Sequence, residues 1–354
     1  MNNKNSDELF MLRCIQLAEK GKGNVAPNPM VGAVIVYEGK IIGEGYHMQY
    51  GEAHAEVNAI NSVYDKSLLQ KSTIYVSLEP CAHFGKTPPC ADLIASHKIP
   101  RVVIGMQDPF AKVNGLGIKK LKNAECDVKV GVLEKKCRGL NKEFITFHTK
   151  KRPYIILKWA QTTDGFIDKI RTDADEQKPN WITDEVCRSL VHKWRTEVQA
   201  IMVGTNTVAI DNPKLNIRSW AGKSPLRIVI DKDLKLPENL FLFDKTVPTI
   251  VLNKIKNKQE DNIEYKKLDF SENFLNELMY FLYKKEINSL FVEGGQQLLN
   301  SFIENNLWDE ARIFTGNIEF KKGISSPQIT GKIISEDSVG NSMLAIYKPV
   351  GNNL

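Results

Sequence analysis

The spacing of apolar and polar residues divides the chain into two successive runs in which strand-like and helix-like segments alternate. Leu9, Phe10, Leu12, Ile15, Leu17 and Ala18 recur at a helical period, which predicts a helix over 7–20 ended by Gly21 and Gly23. Residues 31–37 and 40–45 are rich in β-formers and are joined by Glu38-Gly39, the pattern of a hairpin. A helix beginning near Ala53, a strand over 73–78, a helix after Cys81 or Cys90, a strand over 101–105 and further alternation to Val130 follow. One helix over 133–147 is expected to close the unit. This alternation predicts a three-layer α/β domain with helices on both faces of a sheet.

The basic stretch over 148–153, stopped by Pro153, marks a boundary between domains expected at 1–148 and 153–354. An apolar strand over 154–160 opens a second α/β run. The pattern then predicts helices over 184–195, 271–284 and 296–305, and strands over 200–204, 227–230, 249–252 and 289–292. No internal repeat or long low-complexity segment interrupts it.

A chain of 354 residues suits two such domains, since single domains typically hold about 100–200 residues. Apolar and charged fractions of 42% and 25% lie close to globular values, so disordered and fibrous classes are excluded. Residues 1–10 lack the basic and then apolar order of a signal peptide. No apolar run approaches the roughly 20 residues needed to cross a bilayer, so no membrane partner is expected and the cytoplasm is the expected location. A net charge of +6 is spread over scattered lysines, as at 253–258, instead of forming a stripe with aromatics. That argues for a mostly solvated surface; a small anionic substrate accounts for the remaining charge as well as nucleic acid would, and the partner expected on the whole reading is a small molecule, with no nucleic acid. The six cysteines, at positions 14, 81, 90, 126, 137 and 187, are read as thiols of a reducing compartment.

Two of these thiols fall into a chemical pattern. His54-Ala55-Glu56 is followed by Glu79-Pro80-Cys81, and Cys90 closes the run 81–90. One imidazole and two thiolates make a three-ligand zinc set whose fourth position stays open, whereas a structural zinc site would be closed. Two thiolates cancel the metal's charge, so a carboxylate that takes a proton from water becomes valuable, and Glu56 sits in the first helical turn beyond the ligand. Taken singly, His54 could be a core histidine and each cysteine a buried hydrophobe. Together, H-x-E upstream of P-C and a further cysteine form the zinc-deaminase signature, in which hydroxide attacks an amine-bearing ring carbon. The wide gap between the cysteines departs from the common C-x-x-C. Cys14, Cys126, Cys137 and Cys187 have no metal spacing and are read as structural.

At these residues the chain resembles the bifunctional riboflavin-biosynthesis deaminase/reductase family, whose deaminase half carries a long loop between its cysteine ligands. Asn28-Pro29-Met30-Val31-Gly32, Gly45-Tyr46-His47, the run 51–56 and the run 81–90 fit its pattern. The resemblance implies a cytidine-deaminase-like fold and, as substrate, a diaminopyrimidinone bearing a ribosylamino 5′-phosphate. It also implies that Asn28, His47, His83 and Lys86 line the pocket beside the zinc. Their chemistry is compatible: an amide matches a pyrimidine edge, and imidazole and ammonium groups suit phosphate. From the residues alone, Asn28 is equally a turn residue and Lys86 a solvated loop charge.

The second half has no G-x-G-x-x-G after a strand, so a Rossmann site is not expected. It does have a strand followed by Glu293-Gly294-Gly295 and a helix, which could bring backbone N–H groups to a phosphate or merely connect two elements. Residues 158–165 and 195–218 resemble the reductase half of the same family, implying a dihydrofolate-reductase-like fold that uses NADPH. The resemblance assigns Ala160, Trp181, Thr207, Asp211, Gly295, Gln296, Gln297, Leu298, Leu299, Asn300 and Ser301 to the cofactor. It assigns Lys158, Arg195, Leu215, Arg218 and Glu293 to the substrate, where paired guanidinium forks suit a sugar phosphate. Without it, Arg195 and Arg218 read as surface charges and Asp211-Asn212-Pro213 as a turn. Thr162-Thr163 stands where the family has Ser-Leu, and 168–178 is longer than usual.

The whole chain is therefore expected to be a homo-oligomeric, cytoplasmic enzyme of riboflavin biosynthesis. Zn2+ serves hydrolytic deamination of the phosphoribosylated pyrimidine, and NADPH serves reduction of its ribosyl chain to ribityl. Two rivals remain open at this point. A nucleic-acid base deaminase shares the zinc set but calls for a basic, aromatic surface; a zinc-stabilised binding protein has no use for Glu56.

Overall fold

In the computed structural model, which describes residues 3–82, 84, 88–110, 113–171 and 179–351, the chain divides into units Met1–Lys151 and Arg152–Asn353. The first unit begins with α1 (Asn3–Glu19) and the expected hairpin of β1 (Gly32–Tyr37) and β2 (Lys40–Tyr46). Glu38 and Gly39 both take positive φ, at 47° and 74°, as a two-residue turn matched to strand twist requires. After α2 (Ala55–Ser62) come β3 (Thr73–Val76), α3 (Cys90–Ser96), β4 (Arg101–Ile104), α4 (Leu116–Asn123) and β5 (Asp127–Val130). The sheet order is β2-β1-β3-β4-β5, antiparallel at β1 and parallel from β3 onward.

Alternation along β1 explains the layers. Ala33 and Ile35 pack with Ala59, Ile60, Ile94 and Leu121 of α2, α3 and α4. Val34 and Val36 point the other way, against Met11, Cys14 and Leu17 of α1. Every second residue of the strand thus feeds one of two cores, which buries the sheet on both faces.

The single closing helix expected over 133–147 is instead two, α5 (Glu134–Leu140) and α6 (Lys142–Lys150). The break falls at Asn141, whose Oδ1 accepts from the Met30 N–H at 2.8 Å while its Nδ2 donates to the Met30 carbonyl at 2.9 Å. A buried amide that satisfies both polar groups of one distant residue outweighs helix continuity.

The second unit contains β6 (Tyr154–Thr162), β7 (Phe166–Asp168), α7 (Glu185–Thr196), β8 (Ala200–Val203), α8 (Thr205–Asp211), β9 (Leu226–Ile230), β10 (Thr249–Asn253), β11 (Lys258–Glu260) and β12 (Ile263–Lys267). It continues with α9 (Phe274–Lys284), β13 (Ser289–Glu293), α10 (Gln296–Glu304), β14 (Glu310–Gly316), β15 (Ile324–Ser325), β16 (Gly331–Val339) and β17 (Ser342–Pro349). Ten strands form one sheet in the order β11-β12-β10-β9-β8-β13-β6-β14-β17-β16, and β15 pairs with β7. Tyr154 and Ile156 face the core of α7 and α8, while Ile155, Leu157 and Trp159 face that of α9 and α10.

No strand beyond 305 was expected, yet β14, β16 and β17 complete the sheet. Their sequences hide it. On β14 the buried charges Glu310 and Arg312 pair at 2.6 Å, and β16 is an exposed edge of mixed polarity. Among the described residues no helix is long and apolar enough to cross a membrane.

One buried charge cluster holds α1 to the first sheet. The Asp7 carboxylate, 1% exposed, accepts from Arg101 at 2.9 and 3.0 Å, Lys129 at 2.8 Å and the Tyr75 hydroxyl at 2.8 Å. Burial alone would raise its pKa, but these donors hold it down at about 2. A depressed carboxylate contributes fully above its unfolded-state pKa and loses that contribution as pH falls through the folded value. Asp7→Asn should therefore destabilise the first unit by about 2.5 kcal/mol at pH 7, the linkage value of a pKa lowered from 3.8 to about 2. Urea unfolding of the full chain should show the gap from wild type closing as pH approaches about 2.

Candidate active sites

In the first unit the chemistry gathers where α2 and α3 begin. His54 is the N-cap of α2 in extended conformation and Glu56 lies in the first turn, 3% exposed. The helix lies close to β2 because Gly45 has no side chain; a Cβ there would come within 2.3 Å of the Ala59 nitrogen. Cys90 is the first residue of α3, and Cys81 sits on the loop after β3.

Folding brings the three expected ligands together: the donor atoms of His54, Cys81 and Cys90 all lie within 4.8 Å of one another. His54 Nδ1 is 3.3 Å from Cys90 Sγ and 3.6 Å from Cys81 Sγ, and the Cys90 N–H donates to Cys81 Sγ at 3.3 Å. Hydrogen bonding from Cys90, together with His54, draws Cys81 toward thiolate, and Cys90 is raised as the donor. Contact with Cys81 raises His54. One imidazole nitrogen and two sulfurs within reach of a single point make a soft donor set, and this set fits zinc. Burial pushes the Glu56 carboxyl up to about 7; a bound cation would pull it down.

Of the four pocket residues, Asn28 and His47 are joined. Asn28 Nδ2 is 3.1 Å from His47 Nε2, and His47 Nδ1 is 3.1 Å from the Ala53 carbonyl. These partners make Nδ1 the donor and Nε2 the acceptor, and burial lowers the His47 pKa, so the ring stays neutral. Its plane stands at 78° to that of His54, with centroids 5.5 Å apart. Asn58 donates to the Tyr46 carbonyl at 2.8 Å and steadies the same turn. His83 and Lys86 lie outside the described residues.

In the second unit the candidate residues collect at the C-terminal ends of parallel strands. From β8 the chain passes through α8 to β9 on one side; from the adjacent β13 it passes through α10 to β14 on the other. Diverging connections open a crevice between neighbouring strand ends, the usual ligand position in open α/β sheets. Gly204 and Gly295 are the N-caps of α8 and α10 there, and the Gly295 N–H donates to Thr207 Oγ1 at 3.0 Å. Gln296, Gln297 and Asn300 follow on α10, whereas Leu298 and Leu299 are core residues and the Ser301 hydroxyl donates to the Leu298 carbonyl. Those two leucines can therefore meet a ligand only through backbone. Ala160 is half-buried on β6, and Trp181 is exposed with the Arg188 guanidinium 4.6 Å from its ring centroid. Burial and neighbouring Asp168 push Asp211 up to about 6, against Arg171.

Lys158 and Glu293 are register partners on β6 and β13. Glu293 takes both its Arg195 bonds at 2.9 Å, side chains 11% and 14% exposed. The Arg195 fork expected for phosphate is thus engaged by Glu293. Burial would raise the Glu293 carboxyl, but Arg195 and Lys158 hold it below its ordinary range, while burial lowers Lys158. Asn216 ties the two arginines, its Oδ1 accepting from Arg218 at 3.1 Å and its carbonyl lying 3.5 Å from Arg195 Nη1. Leu215, at φ 49°, turns its side chain into the core.

Over residues 4–106 the chain matches the cytidine and deoxycytidylate deaminase zinc-binding region, and over 153–318 the RibD C-terminal domain. The riboflavin biosynthesis protein RibD of Aquifex aeolicus is 40% identical over 356 residues, covering 97% of this chain and 98% of that one. The chain belongs to the RibD family. RibD of Escherichia coli is 34% identical, with 87% of each chain covered. A crystal structure of a diaminohydroxyphosphoribosylaminopyrimidine deaminase/5-amino-6-(5-phosphoribosylamino)uracil reductase from Thermotoga maritima superposes with a TM-score of 0.87 at 35% identity, over 98% of this chain and 100% of that one. As a RibD protein the chain is a bifunctional deaminase and reductase of riboflavin biosynthesis, with zinc for the first domain and NADPH for the second.

Sequence reasoning passed over Glu79, although it quoted the residue beside Cys81. In this RibD protein the Glu79 carboxylate is 3% exposed and accepts from the backbone N–H groups of Asp108, Gly115, Gly117 and Ile118 at 3.0–3.2 Å. Gly117 is needed there, because a Cβ would lie 2.0 Å from the Pro80 carbonyl oxygen. The available signal was a carboxylate next to a Pro-Cys ligand element. Metal analysis of the purified protein should find a single zinc per chain, retained in Glu56→Gln and lost in His54→Ala, Cys81→Ser and Cys90→Ser. Zinc retained by all three ligand variants would place the metal elsewhere.

Proposed function

We propose that His54, Cys81 and Cys90 hold the zinc and that Glu56 moves the protons in hydrolytic deamination of 2,5-diamino-6-(5-phosphoribosylamino)pyrimidin-4-one. The convergence of one ring nitrogen and two sulfurs beside a buried carboxylate carries this reading. When bound, zinc supplies Lewis-acid activation of water. Glu56 takes one proton from the attacking water and passes it to the ring nitrogen, and on to the departing amine, so that C–O replaces C–N and ammonia leaves. Asn28, held by neutral His47, meets the pyrimidine edge with one donor and one acceptor, and the family resemblance assigns His83 and Lys86 to the same substrate.

The product, 5-amino-6-(5-phosphoribosylamino)uracil, is the substrate of the second site. NADPH, when bound, would supply the hydride for C1 of the opened ribose, while the nitrogen of its C=N bond takes a proton from solvent, leaving a ribityl amine. Ala160, Trp181, Thr207, Asp211 and the α10 N-terminus from Gly295 to Ser301 receive the cofactor at the crevice. Lys158, Arg195, Leu215, Arg218 and Glu293 receive the sugar phosphate. Three cations against one carboxylate leave two positive charges in excess, which suits a phosphate dianion. The protein's task there is positioning.

None of the six cysteines is joined in a disulfide, which supports a cytoplasmic location. Exposed Ile333 and Ile334 on the terminal strand β16 support a homo-oligomer. The scattered lysines support a small-molecule substrate over nucleic acid. Glu56→Gln should abolish ammonia release while leaving NADPH oxidation with the deaminated intermediate unchanged. Loss of both activities in that variant would contradict two independent sites.

A further inference from the structure

One helix turn before Arg195 on α7 lies His192, a residue that neither the motif nor the proposed reaction uses. At a spacing of three the two side chains share a helix face, so His192 faces the cluster that Arg195 forms with Glu293. The charges that reach it are those of Arg195, Arg218 and Glu293. His192 is 5% exposed, and its Nδ1 is buried with no hydrogen-bond partner. Buried polar atoms in native proteins are almost always paired, so an unpaired one calls for a missing group.

The neighbours define what that group is. Arg195 and Arg218 have only donors to offer, and the Arg195 fork is already closed on Glu293. An acceptor placed among them, carrying negative charge, is the one partner that all can share. Burial, reinforced by Arg195 and Arg218, pulls His192 down to about 4, so near neutral pH the ring offers a single N–H.

We infer that the buried His192 Nδ1 donates a hydrogen bond to the phosphate of the phosphoribosyl substrate, making His192 a specificity residue of the reductase site. The inference rests on the placement of that substrate at Arg195, Arg218 and Glu293. Bound phosphate then takes Arg218 and His192 as its direct donors, while Glu293 keeps Arg195 in place. Discrimination for the phosphorylated form follows, because without the phosphate Nδ1 is left unpaired.

The full-length enzyme tests this with two variants, since leucine removes the donor and asparagine keeps an N–H near the position of Nδ1. In His192→Leu the KM for the deaminated phosphoribosyl intermediate should rise on the order of 30-fold, the loss typical of a hydrogen bond to a charged group. The Ki of inorganic phosphate as a competitive inhibitor should rise in parallel. The KM for NADPH and the deaminase rate should stay within about twofold, and His192→Asn should recover most of the loss. An unchanged substrate KM and phosphate Ki, an equal rise in the KM for NADPH, or an asparagine variant no better than leucine would each overturn the inference alone. Wild-type enzyme that fails to oxidise NADPH with the intermediate would overturn the reductase reading beneath it.

Discussion

The loop that carries Cys81 depends on one buried carboxylate. Glu79 draws together four backbone N–H groups from the segment 108–118 and thereby fixes the path of Pro80 and Cys81. Each of its two oxygens accepts two of these bonds, so the buried group is paired by backbone. A metal ligand carried on a loop must be placed to within a fraction of an ångström, and loops seldom manage that unaided. Here the N-terminus of α4 supplies the stiffness, and Gly117 lets it come near enough. His54 and Cys90 are fixed more simply, at the starts of two helices that pack on the same sheet face.

In the reductase unit, position comes from topology. Diverging connections from β8 and β13 leave a crevice at their ends, and the sheet register sets Lys158 beside Glu293. The Arg195–Glu293 pair then has two effects. It fixes a guanidinium inside the site, and it shields part of the positive field, so that the cluster attracts an anion without repelling itself apart. A nearly buried ion pair adds little to stability once desolvation is counted, and its value here is geometric.

The parts legible in the sequence were those whose cause is local. The hairpin at Glu38-Gly39, the helix cap before Glu56 and the strand before Gly294 each follow from neighbouring residues. The cluster of His54, Cys81 and Cys90 was legible because a soft donor set tolerates few substitutes, although its members are far apart in the chain. Features made by distant partners stayed hidden. Asn141 breaks a helix because of Met30, Arg195 points at Glu293, and β14 buries charges that meet the Tyr154 hydroxyl and the Trp194 ring. His192 looks like any polar residue of an amphipathic helix until its surroundings are known.

The bond between Asn141 and Met30 also bears on how the deaminase can be divided. The matched zinc-binding region ends at residue 106, but the loop that presents Asn28 is tied down by a residue from the last helices of the unit. The support of Cys81, through Glu79 and its partners at 108–118, and that of Asn28, through Asn141, therefore both lie beyond that match, the second further along the chain. A transplanted module cut just after α4 would keep the anchor of Cys81 and still forfeit that of Met30, and with it recognition of the heterocycle.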